Sequence, residues 1–171
     1  MPRSSGSRRR STGRMTDRRA RAEVTLRPAE SADLDWLADL RAIVLRADLE
    51  RLGRYDAVRV RQRLRDAYDP SVTRIVVVDG EDVGCIAVRR EDDTHWIEHF
   101  YLARSHQGRG VGGRILSMVL QDDVLYRLNV LQGSAARRLY ERHGFVVDRE
   151  AEVDVFMSFD RTGRIEESGD R

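Results

Sequence analysis

The segment Gln107-Gly108-Arg109-Gly110-Val111-Gly112 stands between a predicted strand and a predicted helix, and the interpretation of the whole chain starts from it. Glycine lets a backbone approach a ligand closely, and the first turn of a helix offers unpaired N–H groups with partial positive charge. Arg109 and Arg114 add full positive charges beside those groups. The segment therefore predicts a cradle for an anion, and a pyrophosphate fits this description.

The glycines alone leave two other interpretations open. Gly108, Gly110 and Gly113 also satisfy G-x-G-x-x-G, the fingerprint of dinucleotide-binding folds. That fingerprint should follow the first strand of a strand–helix–strand unit, with an acidic residue about 20 positions further on. Here three consecutive predicted strands of apparent antiparallel order stand directly before the glycines, and Gly133 stands where the acid should be. A glycine-rich loop without any ligand is the other alternative.

A second motif follows the predicted loop and helix. It comprises the strand Leu128-Asn129-Val130-Leu131 and, after two residues, the stretch SAARRLYERHGF from Ser134 to Phe145. In order and spacing, the two motifs resemble those of the GNAT superfamily of N-acetyltransferases. The pyrophosphate loop of that family reads Gln/Arg-x-x-Gly-x-Gly/Ala, and its later motif ends in L-Y-x-x-x-G-F. The matching residues are Gln107, Gly110 and Gly112 in the first motif and Leu139, Tyr140, Gly144 and Phe145 in the second.

The resemblance covers about residues 23–159 and implies an α/β (α+β) domain of the GNAT fold. Such a domain has a mixed central sheet of about seven strands with one splayed strand pair, flanked by about four helices. Hydrophobic patterning gives an order that agrees: β, α, α, β, β, β, α, β, α, β, β. The predicted strands are 24–27, 75–78, 83–88, 94–102, 126–130, 145–147 and 153–157, and the predicted helices begin near Ser31, Asp56, Gly110 and Ser134.

The activity that the resemblance implies is transfer of an acetyl group from acetyl-CoA to a primary amine of a small molecule or peptide, by direct attack in a ternary complex. By the same resemblance, acetyl-CoA would be held by Leu102, Ala103, Gln107, Gly108, Arg109, Gly110, Val111, Gly112 and Ser134. Ser134 departs from the family, which often has Asn at this position to contact the pantetheine arm. Ser134 also fits a helix cap, so its contact stays open.

Three residues are candidates for catalysis. Tyr140 matches the family's frequent general acid for the departing thiolate, and a phenol carries its proton at neutral pH; it also fits a ring packed on the sheet. Glu98 is the favoured base by resemblance, with His99 as the alternative. Neighbouring strand residues face opposite sides, so at most one of the two points at the substrate unless a β-bulge rotates them. A solvated carboxylate and a structural histidine are the other interpretations.

Specificity for the amine is expected from the two N-terminal helices, in residues 48–56 and 68–70. Glu50, Asp56 and Asp69 are candidates for attracting a cationic amine, and an ordinary charged surface is the alternative. Spacing of His, Cys and acidic residues indicates no metal site. A homodimer is left open, because closing strands in such folds often pair between subunits.

Composition excludes several chemistries. The chain has 171 residues, 40% of them hydrophobic and 35% charged, and all 31 basic residues are arginine. Without lysine there is no Walker-type phosphate loop, no Schiff base and no self-acetylation on lysine. Cys85, the one cysteine, lies in an apolar run and is expected to be a buried strand residue.

The two ends of the chain are expected to be tails. Residues 1–22 carry eight arginines and one acid, and we expect them to be disordered; residues 160–171 form a polar C-terminal tail. An arginine-rich arm also suits nucleic acid, but the rest of the chain is net acidic, which makes nucleic acid an unfavoured partner. No apolar run is long enough to span a bilayer, and no apolar stretch follows the first arginines, so a cytoplasmic location is expected. A catalytically silent acyl-CoA-binding module remains the alternative function.

Overall fold

The computed structural model describes residues 22–164, which form seven strands and four α-helices in the predicted order. The strands are β1 Val24–Pro28, β2 Thr73–Val78, β3 Glu81–Glu91, β4 Thr94–Leu102, β5 Leu125–Leu131, β6 Val146–Glu150 and β7 Asp154–Asp160. The helices are α1 Leu34–Arg51, α2 Ala57–Ala67, α3 Val111–Val119 and α4 Ala136–Arg142. The predicted fold class is confirmed.

The predicted tails fall mostly outside this range. Of residues 1–22 the structure describes Ala22 alone, and of residues 160–171 it describes 160–164. There β7 ends at Asp160, and a short 3-10 turn follows over Thr162–Arg164. None of the helices within residues 22–164 is both long and apolar enough to cross a membrane.

Aspartate side chains stand at the starts of α1 and α2. Asp56 accepts hydrogen bonds from the backbone N–H groups of Val58 and Arg59 at 3.0 and 2.9 Å, which satisfies two of the unpaired donors at the start of α2. Before α1, Asp33 accepts from the backbone N–H of Glu30 at 2.9 Å and forms an ion pair with Arg27 at 2.7 Å. These polar contacts fix where α1 and α2 begin against the sheet.

The seven strands form one sheet in the order β1-β2-β3-β4-β5-β7-β6. Every neighbouring pair is antiparallel except β4 and β5, which are parallel. That parallel pairing covers only three residue pairs and ends at Trp96 and Arg127, although β4 continues to Leu102 and β5 to Leu131. The two strands therefore splay apart beyond Trp96, as the predicted fold requires.

A β-bulge interrupts β4 in the same place. Ala87 of β3 pairs with Glu98, but two positions earlier Cys85 pairs with Tyr101, so β4 contains one extra residue. His99 lies in that bulge with φ +49°, a left-handed conformation that is costly for a residue with a side chain. Cys85 is buried as predicted, and burial raises the pKa of its thiol to about 12, so it stays protonated at neutral pH.

Gly84 provides a test of how tightly β3 and β4 approach each other beside the bulge. A Cβ at this position would overlap the backbone carbonyl of Tyr101 and lie 3.1 Å from the Cα of Leu102. We therefore expect Gly84→Ala to lower the free energy of unfolding by about 1–3 kcal/mol, the usual cost of overpacking. Urea denaturation measures this change in the free energy of unfolding. Gly163→Ala, whose Cβ meets nothing within 4 Å, is the control, and equal stabilities of the two variants would contradict the prediction.

Candidate active site

A cleft of about 890 Å³ opens where β4 and β5 diverge. One wall is the bulged end of β4, the other is formed by β5, the start of α4 and β7, and α1 and α2 cover the open side. Glu98, His99, Ser134 and Tyr140 all line this cleft. Four of the residues that the sequence singled out, from three separate elements, are thus brought together by the splay of two strands.

The bulge changes the expected alternation along β4. A regular strand would direct only one of Glu98 and His99 into the cleft, whereas both line it here. The reason is the left-handed backbone of His99, which rotates the side chains around the extra residue. Both candidates for the base therefore have access to the same space.

Glu98 is paired across the sheet with Arg89 of β3. Both hydrogen bonds, from Nε at 3.3 Å and Nη2 at 3.0 Å, go to Oε1 of the carboxylate. Arg89 also forms an ion pair with Glu91, which does not line the cleft. Among the residues that the structure describes, none donates to Oε2 of Glu98. This oxygen is thus available to water or to a ligand.

His99 is the end of a hydrogen-bonded chain that begins at Arg41 of α1. Arg41 Nε donates to the Tyr101 hydroxyl at 2.9 Å, and that hydroxyl lies 3.2 Å from Nδ1 of His99. Tyr101 is buried, and the only acceptor within reach of its O–H among the described residues is this nitrogen. An unsatisfied buried hydroxyl is costly, so Nδ1 accepts and the neutral ring carries its hydrogen on Nε2.

Burial lowers the pKa of His99, and the positive charge of Arg41 lowers it further, while the nearby Glu98 carboxylate acts in the opposite direction. The ring is therefore neutral at pH 7. In this tautomer Nε2–H is a hydrogen-bond donor, so it does not accept a proton at that atom.

Tyr140 lies on α4 and is 6% exposed. Its ring packs edge-on against Phe145 with centroids 5.6 Å apart, which agrees with the alternative that it packs on the sheet. Its hydroxyl nevertheless has no hydrogen-bond partner among residues 22–164, and the side chain lines the cleft. Burial, with a smaller contribution from Tyr101, raises the pKa of Tyr140 well above its usual value, so the phenol keeps its proton.

The glycine-rich loop connects the end of β4 to α3. Gly108 and Gly110 have φ values of +68° and +79°, which explains why glycine occupies both positions, and Gly110 caps α3. A Cβ on either would meet nothing within 4 Å, so the space in front of the loop is open. Gln107 ties the loop to β4, because its Nε2 donates to the carbonyl of Leu102 at 2.8 Å.

The remaining loop residues have distinct surroundings. Val111 is buried in the core, and a Cβ on Gly112 would lie 3.0 Å from the end of the Leu139 side chain on α4, so glycine leaves room for Leu139 between the two helices. Ala103 donates its backbone N–H to Val83 at 2.8 Å. Arg109 lines a small depression near Ala22, beside Arg114. The loop thus offers free amides and two cations at the start of α3, which suits an anion.

Ser134 accepts a hydrogen bond from the backbone N–H of Ala136 at 3.3 Å, which is the capping role that the sequence allowed. Its side chain still borders the cleft. Asn129 of β5, which the sequence analysis did not single out, lines the same cleft and donates to Asp154 at 2.8 Å.

Two of the acids proposed to attract an amine do not line the cleft. Glu50 forms an ion pair with Arg46 at 2.7 Å, and Asp69 binds the hydroxyl and backbone N–H of Ser71. Asp56 does line it, but its carboxylate caps α2. The surface interpretation therefore applies to Glu50 and Asp69. No group of three or more His, Cys, Asp or Glu within the described part of the chain is placed to hold a metal ion.

Known proteins resemble this chain in the same region. The family model for the acetyltransferase (GNAT) domain matches residues 71–147, which include β4, the glycine-rich loop and α4. This chain contains a GNAT domain. No curated protein sequence matches it.

Solved GNAT structures share the fold at low sequence identity. PaiA N-acetyltransferase from Thermoplasma acidophilum, in complex with coenzyme A, has a TM-score of 0.65 at 16% identity and covers 81% of this chain and 99% of its own. Spermidine N-acetyltransferase from Vibrio cholerae, with CoA and spermine, has a TM-score of 0.56 at 18% identity and covers 83% of this chain and 98% of its own. Naa50 from Arabidopsis thaliana, with a bisubstrate analogue, has a TM-score of 0.58 at 18% identity and covers 80% of this chain and 98% of its own.

The surroundings of His99 predict how its ring titrates. Because burial disfavours the imidazolium, we expect its pKa below the ordinary value of about 6.5. We also expect Nε2 to carry the hydrogen at pH 7. Nitrogen–proton correlation NMR of the imidazole rings, followed against pH and assigned with His99→Gln, measures both. A ring that titrates above 6.5, or that carries its hydrogen on Nδ1, would contradict the geometry.

Proposed function

We propose that this chain is an N-acetyltransferase that transfers an acetyl group from acetyl-CoA to a primary amine of a small molecule or peptide, by direct attack in a ternary complex. The observation that carries the proposal is the cleft between β4 and β5. Glu98, a carboxylate with a free oxygen, and Tyr140, a protonated phenol, both line this cavity, and the glycine-rich loop follows the strand that carries Glu98.

The loop and the splayed strands supply a place for the co-substrate. Amides of residues 108–112, with Arg109 nearby, would hold the pyrophosphate at the start of α3, while Gln107 donates its backbone N–H to Arg104 and its side-chain amide to Leu102. Backbone N–H groups near Leu102 would bind the thioester carbonyl, with Ser134 on the opposite wall of the cleft, whereas Ala103 already donates its backbone N–H to Val83 and accepts from His106. The coenzyme A found in the PaiA and spermidine N-acetyltransferase structures supports use of acyl-CoA by this fold.

The reaction needs a base for the amine and an acid for the thiol. The neutral amine attacks the thioester carbon. Its nitrogen, which becomes positively charged on attack, then loses a proton through water to Oε2 of Glu98. As the C–S bond breaks, the Tyr140 hydroxyl gives its proton to the thiolate, and solvent then carries a proton from Glu98 back to Tyr140. Backbone N–H groups near the bulge would stabilise the tetrahedral oxyanion.

The tautomer of His99 favours Glu98 as the base. With Nδ1 engaged by Tyr101 and hydrogen on Nε2, the neutral ring has no free lone pair to receive a proton from the amine. His99 then positions water or the substrate as a donor. This assignment selects one of the two candidates that the sequence left open.

Two other functions are weaker. A silent acyl-CoA-binding module would have no need for Glu98 and Tyr140 on one cavity with their reactive oxygens free. A nucleic-acid role would depend on the arginine-rich segment 1–21, which lies outside the described residues. A cytoplasmic location remains part of the proposal.

Binding of acetyl-CoA is the first prediction of this proposal. Isothermal titration calorimetry should detect acetyl-CoA and desulfo-CoA binding but no NAD binding. Gly110→Glu should abolish binding, because it adds a side chain at φ +79° and a negative charge at the start of α3. Gly163→Glu is the control for the added charge, since it places the same group in the exposed 3-10 turn after β7, where a Cβ meets nothing within 4 Å. Retained binding in Gly110→Glu would refute the assigned loop.

Turnover is the second prediction. With an accepted amine, Glu98→Gln and Tyr140→Phe should each lower kcat by about a hundredfold or more, with acetyl-CoA affinity retained, because each removes one proton-transfer group. Release of free thiol measures the rate. Glu81→Gln and Tyr68→Phe make the same chemical changes outside the cleft and should be close to wild type. Full activity of either site variant would exclude the role assigned to it.

A further inference from the structure

Helix α2 carries four arginines on two faces with different surroundings. Arg61 and Arg65, one turn apart, pair with acids of α1: Arg61 with Asp39 at 2.6 Å and Arg65 with Asp35 at 3.2 Å. Arg59 and Arg63, also one turn apart, line the cleft. Neither of these two guanidinium groups forms a hydrogen bond or an ion pair with any residue between 22 and 164.

The acids of the cleft do not account for the two free guanidinium groups. Asp56 spends one oxygen on the backbone N–H groups of Val58 and Arg59, and these hydrogen bonds lower its pKa, with a smaller contribution from the charge of the Arg59 guanidinium. Glu98 is paired with Arg89, and Asp154 accepts from Asn129.

The other two cleft arginines are already engaged. Arg41 donates to Tyr101 and to the carbonyl of Val60, and Arg54 pairs with Glu152 at 3.2 Å. Arg59 and Arg63 are thus the cations of the cleft that the protein leaves without a partner among its described residues. A pair of guanidinium groups one turn apart suits a planar or tetrahedral oxyanion.

We propose that the acceptor amine also carries an anionic group, a carboxylate or a phosphate, which Arg59 and Arg63 bind. The inference rests on the proposed function, because it assigns the acceptor side of the same cleft. In this arrangement the anion lies at α2 and the amine reaches toward Glu98 and the bulge. Two unpaired cations would repel a polyamine, so the acceptor class differs from the spermine bound by the Vibrio cholerae relative.

Matched pairs of amines test the anion directly. L-phenylalanine with phenethylamine and L-lysine with cadaverine differ by one carboxylate, and O-phosphoethanolamine with ethanolamine differs by one phosphate. Free-thiol release should give a kcat/KM at least tenfold higher for the anionic member of a pair. The phosphate pair and the carboxylate pairs distinguish the two sources of the anion. Equal rates, or a preference for the cationic members, would overturn the proposal.

A pair of double variants assigns the effect to the two residues. Arg59→Gln with Arg63→Gln should lower kcat/KM for the anionic amine by about ten- to a hundredfold, chiefly through KM, and should not lower it for the matched amine that lacks the anion. Arg61→Gln with Arg65→Gln removes the same charge from the other face of α2 and should leave both unchanged. Gln keeps helix propensity, and Arg59 and Arg63 are exposed, so the fold is retained. Equal losses in both double variants would overturn the assignment.

Turnover and amine binding, measured separately, distinguish a missing anion site from a missing transferase activity. If acetyl-CoA binds and none of the six amines turns over, the proposed transferase activity is contradicted for these amines. Calorimetry of the same amines with the desulfo-CoA-loaded protein then decides the inference. Tighter binding of the anionic members, lost in the Arg59/Arg63 double variant alone, supports the anion site, and equal binding within each pair refutes it.

Discussion

The short parallel contact between β4 and β5 is the constraint on which the rest of the site depends. Three residue pairs hold the two halves of the sheet together, from Thr94–Leu125 to Trp96–Arg127. If the pairing continued, the backbone groups of both strands would satisfy each other and the sheet would have no opening. Because it stops, Glu98 and Tyr140, which lie on different elements, border one cavity. The antiparallel partners on either side, β3 and β7, keep each strand ordered after the two separate.

The bulge in β4 is stabilised from the neighbouring strand. The Cys85 thiol donates to the carbonyl of His99 at 3.0 Å, and beyond the bulge Ala103 donates its N–H to Val83 at 2.8 Å. These contacts restore the register after the extra residue, so the unfavourable backbone of His99 is held by β3 on both sides. Strain at this position and access of two neighbouring side chains to the cleft are consequences of the same insertion.

Most of the fold was predictable because its signals are local. The β-branched run Ile75–Val78, the helical spacing after Ser31, and the glycine and Leu139-Tyr140 motifs all depend on neighbours within a few residues. The contacts of the site depend on strand register instead. Arg89 meets Glu98 and Tyr101 meets His99 only because of where the bulge falls, and a shift of one residue would separate them. The engagement of Glu50 and Asp69 with Arg46 and Ser71 also required the structure.

The exclusive use of arginine has a chemical consequence for such a site. A guanidinium keeps its charge at every pH at which the protein folds, so the arginine cations of the cleft are constant, and proton transfer is left to carboxylate, imidazole and phenol groups. Its fixed set of donors also lets Arg41 bond the Tyr101 hydroxyl and the Val60 carbonyl together. A lysine in the same place would bring a primary amine beside the thioester and compete with the acceptor. Without lysine, the chain offers no side-chain amine to its own reaction.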